Sequence, residues 1–375
     1  MAERSPEDGP QDSARSPAGL DDNDPEAARF RGPEPAGDGR GATDGTATYR
    51  DIVVVGASAG GVEALDRVVA GLPPELPAAI FVVLHLSAGG RSVLPAILSR
   101  AGPLPASVPK DGMRPERGHI YVAPPDRHLL LVGRRVRVTG GPRENGHRPA
   151  IDPLFRSAAR SYGPRVVALV LSGNLDDGAA GARLVKDRGG VVVIQDPADA
   201  LYPDMPSSAA AMVDVDAVAP AREVPDLLCR LLEEPVEPRA QYSAGPEIDE
   251  DEDLAAAELA LDGQPTELSC PECGGPLWER SEGPLVRFAC RVGHVFSPES
   301  LIAEHGQGLE RALWSAQRSL EERADLYRRM ARRARERPLL QKRFLDRSAS
   351  AEQHAAALQD AIAKLTSSGE LEETP

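Results

Sequence analysis

Residues 52–72, IVVVGASAGGVEALDRVVAGL, place a run of β-branched residues before a glycine-rich turn and a helical pattern. Ile52 to Val55 form a continuous apolar run, which suggests a strand buried on both faces, as in a parallel sheet covered by helices. Gly56-Ala57-Ser58-Ala59-Gly60 then fits the G-x-S-x-G nucleophile elbow, in which a serine sits on a sharp strand-to-helix turn. The flanking glycines allow the backbone path, and the helix N-terminus behind Ser58 offers unpaired N–H groups to a developing oxyanion. Two other readings of the turn stay open: a dinucleotide-binding loop and a glycine turn without chemistry. Ser58 stands where the central glycine of G-x-G-x-x-G would be, and the next strand ends in His85 where an acidic ribose ligand would be expected. Both features favour a hydrolase.

Outward from this stretch the pattern of apolar run, turn and helix repeats. AIFVVLH (79–85), RVVALVLSG (165–173) and GVVVIQD (190–196) read as further core strands, with helices expected after Gly60, Arg91, Pro153 and Gly178. GHIYVAP (118–124) and HLLLVGRRVRVT (128–139) read as shorter strands, the second a hairpin at an edge of the sheet. These residues predict an α/β domain over 49–234 with a mostly parallel sheet. That segment holds 21 Lys and Arg against 21 Asp and Glu, so the net charge of −15 over 375 residues comes from its flanks.

Residues 1–48 are rich in Gly, Pro, Ala and acid and lack the large apolar residues needed to offset chain entropy, which predicts a disordered tail. Residues 235–265 predict an acidic linker, 266–300 a small cysteine-bearing module, 301–367 a helical segment, and 368–375 a second disordered tail. In the helical segment Leu309, Leu313, Leu320, Ala324 and Tyr327 recur at spacings of three, four or seven. A break near Pro338 precedes Leu358, Ile362 and Leu365, so a helical hairpin or an oligomerising coiled coil fits. The acidic balance, with no basic run, argues against nucleic acid as a partner. No apolar stretch of membrane-spanning length and no signal-peptide pattern occurs, so no membrane insertion and a cytoplasmic location are expected.

His85 ends its strand at the carboxyl edge, where ligands bind in open α/β sheets, and Ser58 lies at the same edge. Asn174-Leu175-Asp176-Asp177-Gly178 follows another strand and brings carboxylates there too. In a triad the histidine takes the serine proton, and the carboxylate fixes the imidazole tautomer and stabilises the imidazolium. Helix capping is the plainer reading for at least one of Asp176 and Asp177. The order Ser, His, Asp differs from the Ser, Asp, His of α/β-hydrolases, which implies a separate family.

Over roughly residues 50–232 the sequence resembles the catalytic domain of the chemotaxis methylesterase CheB family. The resemblance rests on VGASAGGVEAL, VVLHLS, GHIYVAPPDRHLLL, RPAIDPLFRSAA, LSGNLDDGAAG and VIQDPADALYPDMPSSA. It implies a doubly wound α/β domain that hydrolyses glutamate methyl esters of chemoreceptor-like proteins, in many members also deamidating receptor glutamines, without a catalytic cofactor. The family's nucleophile falls on Ser58, its histidine on His85 and its aspartate on Asp177. Its oxyanion donors fall on the backbone N–H groups of Ala59 and Asn174, where the family often has Thr and Met. Leu84 replaces a common glutamine, and a tail stands where the best-known members carry a receiver domain, so regulation by aspartyl phosphorylation within this chain is not expected. A non-catalytic signalling scaffold on the same fold is the alternative, disfavoured by the presence of all three triad residue types.

Cys270-x2-Cys273, sixteen residues, then Cys290-x3-His294 is a spacing that resembles a zinc ribbon or knuckle. Three thiolates and one imidazole predict a closed, structural zinc site with a scaffolding role or one in docking a signalling partner; vestigial thiols and redox use of the Cys270-Cys273 pair are the alternatives. Cys229 reads as ordinary core packing.

Overall fold

Helices cover both faces of the central sheet, which is why its central strands are apolar along their length rather than at alternate positions. The computed structural model describes residues 48–85, 92–236, 263–282 and 285–367. The expected tail over 1–48 therefore lies outside the described residues except for Thr48. Of the expected linker over 235–265, residues 237–262 lie outside the described residues too, as does the second tail, whereas Pro235–Val236 are a strand paired with Thr48–Tyr49 and a further strand begins at Gln264.

The first part of the chain runs β1 (Thr48–Tyr49), β2 (Ile52–Ala57), α1 (Gly61–Ala70), β3 (Ala79–Leu84), α2 (Leu94–Ala101), β4 (Ala106–Ser107) and β5 (Ile120–Val122). It continues through β6 (His128–Val132), β7 (Arg135–Thr139), α3 (Ile151–Tyr162), β8 (Val166–Val170), α4 (Ala179–Asp187) and β9 (Val191–Gln195). Then come α5 (Asp204–Met212), β10 (Ala217–Ala219), α6 (Val224–Glu233) and β11 (Pro235–Val236). Seven strands form one sheet in the order β10-β9-β8-β2-β3-β5-β4, with every neighbouring pair parallel. The winding reverses at β2, so β3 lies on one side of it and β8 on the other. The domain is thus a doubly wound α/β fold.

Val53, Val55 and Ala57 of β2 face one apolar layer, with Leu65 of α1, Leu98 of α2 and Leu228 of α6. Ile52 and Val54 face the other, with Leu154 and Phe155 of α3 and Ala182 of α4. The sequence pattern did not resolve α5, β10 or α6. Two expectations need correction. The 128–139 hairpin is not at an edge of the sheet, whose edges are β10 and β4; β6 and β7 pair only with each other. Leu129, Leu131 and Val136 turn into the second apolar layer, and α3 holds the hairpin through Leu131 N–H to Ser157 Oγ (3.0 Å) and Ser161 Oγ to Leu131 O (2.7 Å). Helix α3 begins at Ile151 rather than after Pro153, because proline is tolerated in the first turn, where its missing N–H has no helical partner.

The C-terminal part is a four-stranded antiparallel sheet of β12 (Gln264–Ser269), β13 (Pro276–Glu282), β14 (Leu285–Cys290) and β15 (Val295–Phe296), followed by α7 (Pro298–Arg333) and α8 (Pro338–Ser367). Helices α7 and α8 pack along each other as a hairpin. Of the expected stripe Ala324 and Ile362 are buried in their seam, whereas Leu309 is 49% exposed, and further buried positions are small residues the pattern did not mark: Ala331, Ser348, Ala351 and Ala355. Small residues let the two backbones approach, and the Ser348 hydroxyl donates to Ala324 O at 3.0 Å across the seam. Among the described residues no helix is long and apolar enough to cross a membrane.

Candidate active site

Three adjacent strands end at one place. Ser58 follows β2, His85 follows β3, and Asp177 lies in the loop from β8 to α4, so the residues sit at the topological switch point where α/β sheets bind ligands. Parallel register aligns them: Ala57 pairs with Leu84, and Gly56 with both Val83 and Val170. His85 N–H donates to Ala57 O (3.2 Å) and Ser58 N–H to Ser172 O (2.9 Å), carrying the alignment one residue past the strands. The His85 ring lies 3.1 Å from Ser58 Oγ at Nδ1 and 2.8 Å from Asp177 Oδ2 at Nε2. An ionised carboxylate only accepts, so Nε2 carries the proton and Nδ1 is free to accept from the Ser58 hydroxyl. The structure thus brings together all three residues predicted for a triad.

The turn around Ser58 is braced from the neighbouring loop. Gly60 has φ 68°, and a Cβ there would stand 2.7 Å from Ser172 Oγ. That hydroxyl donates to Ala59 O (2.8 Å) and accepts from Tyr202 N–H (2.9 Å), while Ser172 N–H donates to Gln195 Oε1 (2.9 Å). Gly173 is required by close approach, since its Cβ would meet Ser58 Cβ at 2.8 Å and Met205 Sδ closer still. Leu175 adopts φ 61°, a costly conformation for a bulky residue, next to Asn174. The N–H groups of Ala59 and Asn174 have no acceptor among the described residues, the condition an oxyanion site needs.

Asp177 is buried and uses both oxygens fully. Oδ2 accepts from His85 Nε2 and Ile151 N–H (2.7 Å), and Oδ1 from Asn145 Nδ2 (3.1 Å) and Asp152 N–H (3.2 Å). Burial pushes its pKa up, but the His85 hydrogen bond and charge and the Ile151 N–H outweigh that and hold it well below the usual carboxylate range. Asp177 does not cap its own helix: α4 has Gly178 at its N-cap and no side-chain cap bond. Instead it takes the first two N–H groups of α3. Asp152 of α3 in turn accepts from Gly181 N–H of α4 at 2.6 Å. Two helix N-termini are therefore capped reciprocally, each by the other's acid.

Asp176 does not cap a helix through its own loop either; its Oδ1 accepts the hydroxyls of Ser297 (2.8 Å) and Ser300 (3.0 Å) at the start of α7. Beside the triad, Glu144 makes two 2.7 Å bonds with Arg156, and Arg287 of β14 reaches Glu144 at 3.0 Å and Asp152 at 3.5 Å. Burial raises the pKa of Asp152, with the Asp177 charge adding to it, to about 7. His147 stacks on His85 at 3.7 Å between ring centroids, and burial, then the neighbouring His85 charge, lower its pKa to about 3. His147 is therefore a neutral plate against the His85 ring near neutral pH. Asn145, His147, Asp152 and Arg287 carried no signal in the sequence reading. Only the left-handed backbone of Asn145 (φ 52°), which asparagine tolerates better than most residues, leaves a trace in residue type.

The four metal-ligand candidates also converge. The ligand atoms of Cys270, Cys273, Cys290 and His294 lie within 4.8 Å of one another. Cys273 Sγ is 3.6 Å from Cys290 Sγ, and His294 Nδ1 is 3.6 Å from Cys270 Sγ and 3.5 Å from Cys290 Sγ. A tetrahedral zinc with its usual bond lengths requires edges of about 3.8 Å between sulfurs and about 3.5 Å from sulfur to nitrogen, so the residues fit the ion. Gly274 (φ 70°) and Gly293 (φ 100°) close the two ligand turns. Cys229 is half-buried against the first apolar layer, away from this cluster.

A doubly wound α/β domain with serine, histidine and aspartate hydrogen-bonded in series at its switch point has the constellation of a serine-hydrolase-type enzyme. Residues 53–228 match the CheB methylesterase family model. The chain is 41% identical over 208 residues to protein-glutamate methylesterase/protein-glutamine glutaminase 3 of Anaeromyxobacter dehalogenans, covering 54% of this chain and 60% of that relative. It is 35% identical over 193 residues to protein-glutamate methylesterase/protein-glutamine glutaminase 2 of Methanosarcina mazei, covering 49% of this chain and 53% of the relative. The chain thus spans little more than half the length of these curated relatives. A Thermotoga maritima CheB methylesterase catalytic domain is matched over 100% of its chain and 49% of this one, at 34% identity and a TM-score of 0.47.

Proposed function

We propose that the α/β domain is a protein-glutamate methylesterase that removes methyl groups from glutamate methyl esters of a chemoreceptor-like protein in the cytoplasm. The reading rests on the continuous hydrogen-bond path from Ser58 Oγ through His85 to Asp177. Ser58 Oγ attacks the ester carbonyl while His85 Nδ1 takes its proton, and the N–H groups of Ala59 and Asn174 receive the oxyanion. Collapse breaks the bond to methoxide, which leaves as methanol with the proton from His85, and the glutamyl group remains esterified to Ser58. Water, deprotonated by His85, then releases glutamate and restores the serine. Asp177, kept ionised by its four donors, holds the imidazole tautomer and stabilises the imidazolium. The same attack on a glutamine amide would expel ammonia, so deamidation of receptor glutamines belongs to this reading.

No cofactor enters these steps. We assign Cys270, Cys273, Cys290 and His294 to a structural zinc, closed by four protein ligands and so outside the chemistry. A reducing compartment suits the three thiols. The test is methanol release from a synthetic helical peptide bearing a glutamate γ-methyl ester. Wild-type protein releases methanol, and Ser58→Ala lowers the rate by about 10⁴-fold or more without loss of fold. Equal release by the two proteins would remove Ser58 as nucleophile.

A further inference from the structure

The loop joining β7 to α3 is held from two sides. On one side it carries the triad's surroundings: His147 against His85, and the Asn145 amide on Asp177 Oδ1 at 3.1 Å. On the other side it is held by the cysteine module. Asn145 N–H donates to Val295 O at 2.8 Å, and Val295 N–H donates to Arg143 O at 3.3 Å. Ser297 N–H donates to the side-chain oxygen of the same Asn145 at 2.9 Å. Arg143 also pairs with Glu272 at 3.1 Å, between the ligands Cys270 and Cys273. Val295 directly follows the ligand His294, whose own carbonyl accepts from Cys290 N–H at 3.0 Å.

The chain of contacts is short: metal ligand, next residue's carbonyl, Asn145, triad carboxylate. Asn145 has each of its side-chain groups committed, its oxygen to the module and its nitrogen to Asp177. Its backbone stays left-handed (φ 52°), a conformation that costs free energy and persists where neighbours impose it. The module has little else to impose order with, since its buried apolar cluster is Cys270, Leu277, Cys290, Phe296 and Leu301, two of which are ligands. Without the ion, only that cluster, the short pairing with β14 and the loop contacts themselves would fix β15.

We propose that Asn145 is a positioning residue for Asp177, and that metal occupancy of the Cys270, Cys273, Cys290 and His294 site sets its position. Ester turnover then depends on an ion that takes no part in the reaction. This rests on both the esterase and the zinc readings above. The coupling is reciprocal in free energy, as any linkage between two sites must be.

The test uses the full chain, reduced, with zinc content measured by metal analysis and methanol release followed from the glutamate γ-methyl ester peptide. Three samples are compared: zinc-loaded, zinc-stripped with a chelator, and stripped then reloaded with zinc chloride. Stripping lowers kcat by about tenfold to a hundredfold, the loss expected for a hydrogen bond to a charged group, with KM nearly unchanged and full recovery on reloading. Asn145→Gly keeps the left-handed backbone and removes the amide. It retains one zinc, loses kcat by a similar factor, and is nearly insensitive to stripping, because the coupling runs through the deleted group.

Zinc that can be removed without change in kcat overturns the coupling while leaving both earlier readings standing, as does wild-type turnover in Asn145→Gly. A reduced, folded protein that binds no zinc overturns the metal reading and the proposal with it. No methanol from the zinc-loaded wild type overturns the esterase reading instead, and the proposal falls with that.

Discussion

Strand β2 and strand β12 are both six residues long, but every residue of β2 is buried and none of β12 is. The difference runs through the regions they belong to. The α/β domain buries two apolar layers, one on each face of a seven-stranded sheet. The cysteine module buries five residues as an apolar cluster, which is the regime in which small domains depend on a metal or other cross-link. One region has a large area removed from water, the other a small one. Where they meet, the contacts are polar: Asp176 with two serines, Glu144 and Asp152 with Arg287, and Asn145 with Val295 and Ser297.

The largest effect that tests this contrast is removal of a ligand. Structural zinc in finger peptides contributes about 10–16 kcal/mol at neutral pH, far more than a five-residue apolar cluster supplies. Cys290→Ser is therefore expected to release backbone amides over 264–296 to rapid hydrogen exchange while β2, β3 and β8 stay protected. Simultaneous loss of protection in both regions would break the contrast and make the two one cooperative unit. The converse substitution is smaller: Leu169→Ala, in the centre of β8, costs about 2–5 kcal/mol by urea unfolding of the α/β domain, and leaves zinc stoichiometry unchanged.

The smallest effect concerns pH and the polar junction. Asp152 has its pKa raised to about 7, by burial first and the Asp177 charge second, above its ordinary 3.8. Folded protein then holds a proton that the unfolded chain releases, so this contribution is fully present below the ordinary value and is lost as pH rises toward and through 7. Asp177 has the opposite sign: its pKa is depressed, so its contribution is present above the ordinary value and is lost as pH falls through the folded one. Asp152→Asn is expected to flatten the dependence of the melting temperature between about pH 4 and 7 relative to wild type. An unchanged slope would remove Asp152 as its source.

The polar junction is also where sequence reading stops. The central strands β2, β3, β8 and β9 were legible because two-sided burial leaves an unbroken apolar run, and Ser58, His85 and Asp177 because each follows such a run at the edge where α/β folds place ligands; the short edge strands β4 and β10 carry no such run. The clustering of Cys270, Cys273, Cys290 and His294 was legible because spacing within two tight turns is a local property. The 128–139 hairpin was read correctly as a hairpin and placed wrongly, since its alternation says that one face is buried but not against what. In the α7–α8 hairpin the recurring leucines marked a helix, yet alanines and Ser348 form the seam, because close backbone approach excludes larger side chains.

The order of strands and turns along the chain, and hence the residue types at three strand ends, was determined by local patterns that any stretch of the sequence carries on its own. Only the tertiary structure decided what supports them. Asn145 and Asp177 are 32 residues apart, and Arg287 and Glu144 are 143 apart. No periodicity or propensity links positions at such separations, because their partnership depends on how the loops, helices and module pack, and that packing is a property of the whole fold.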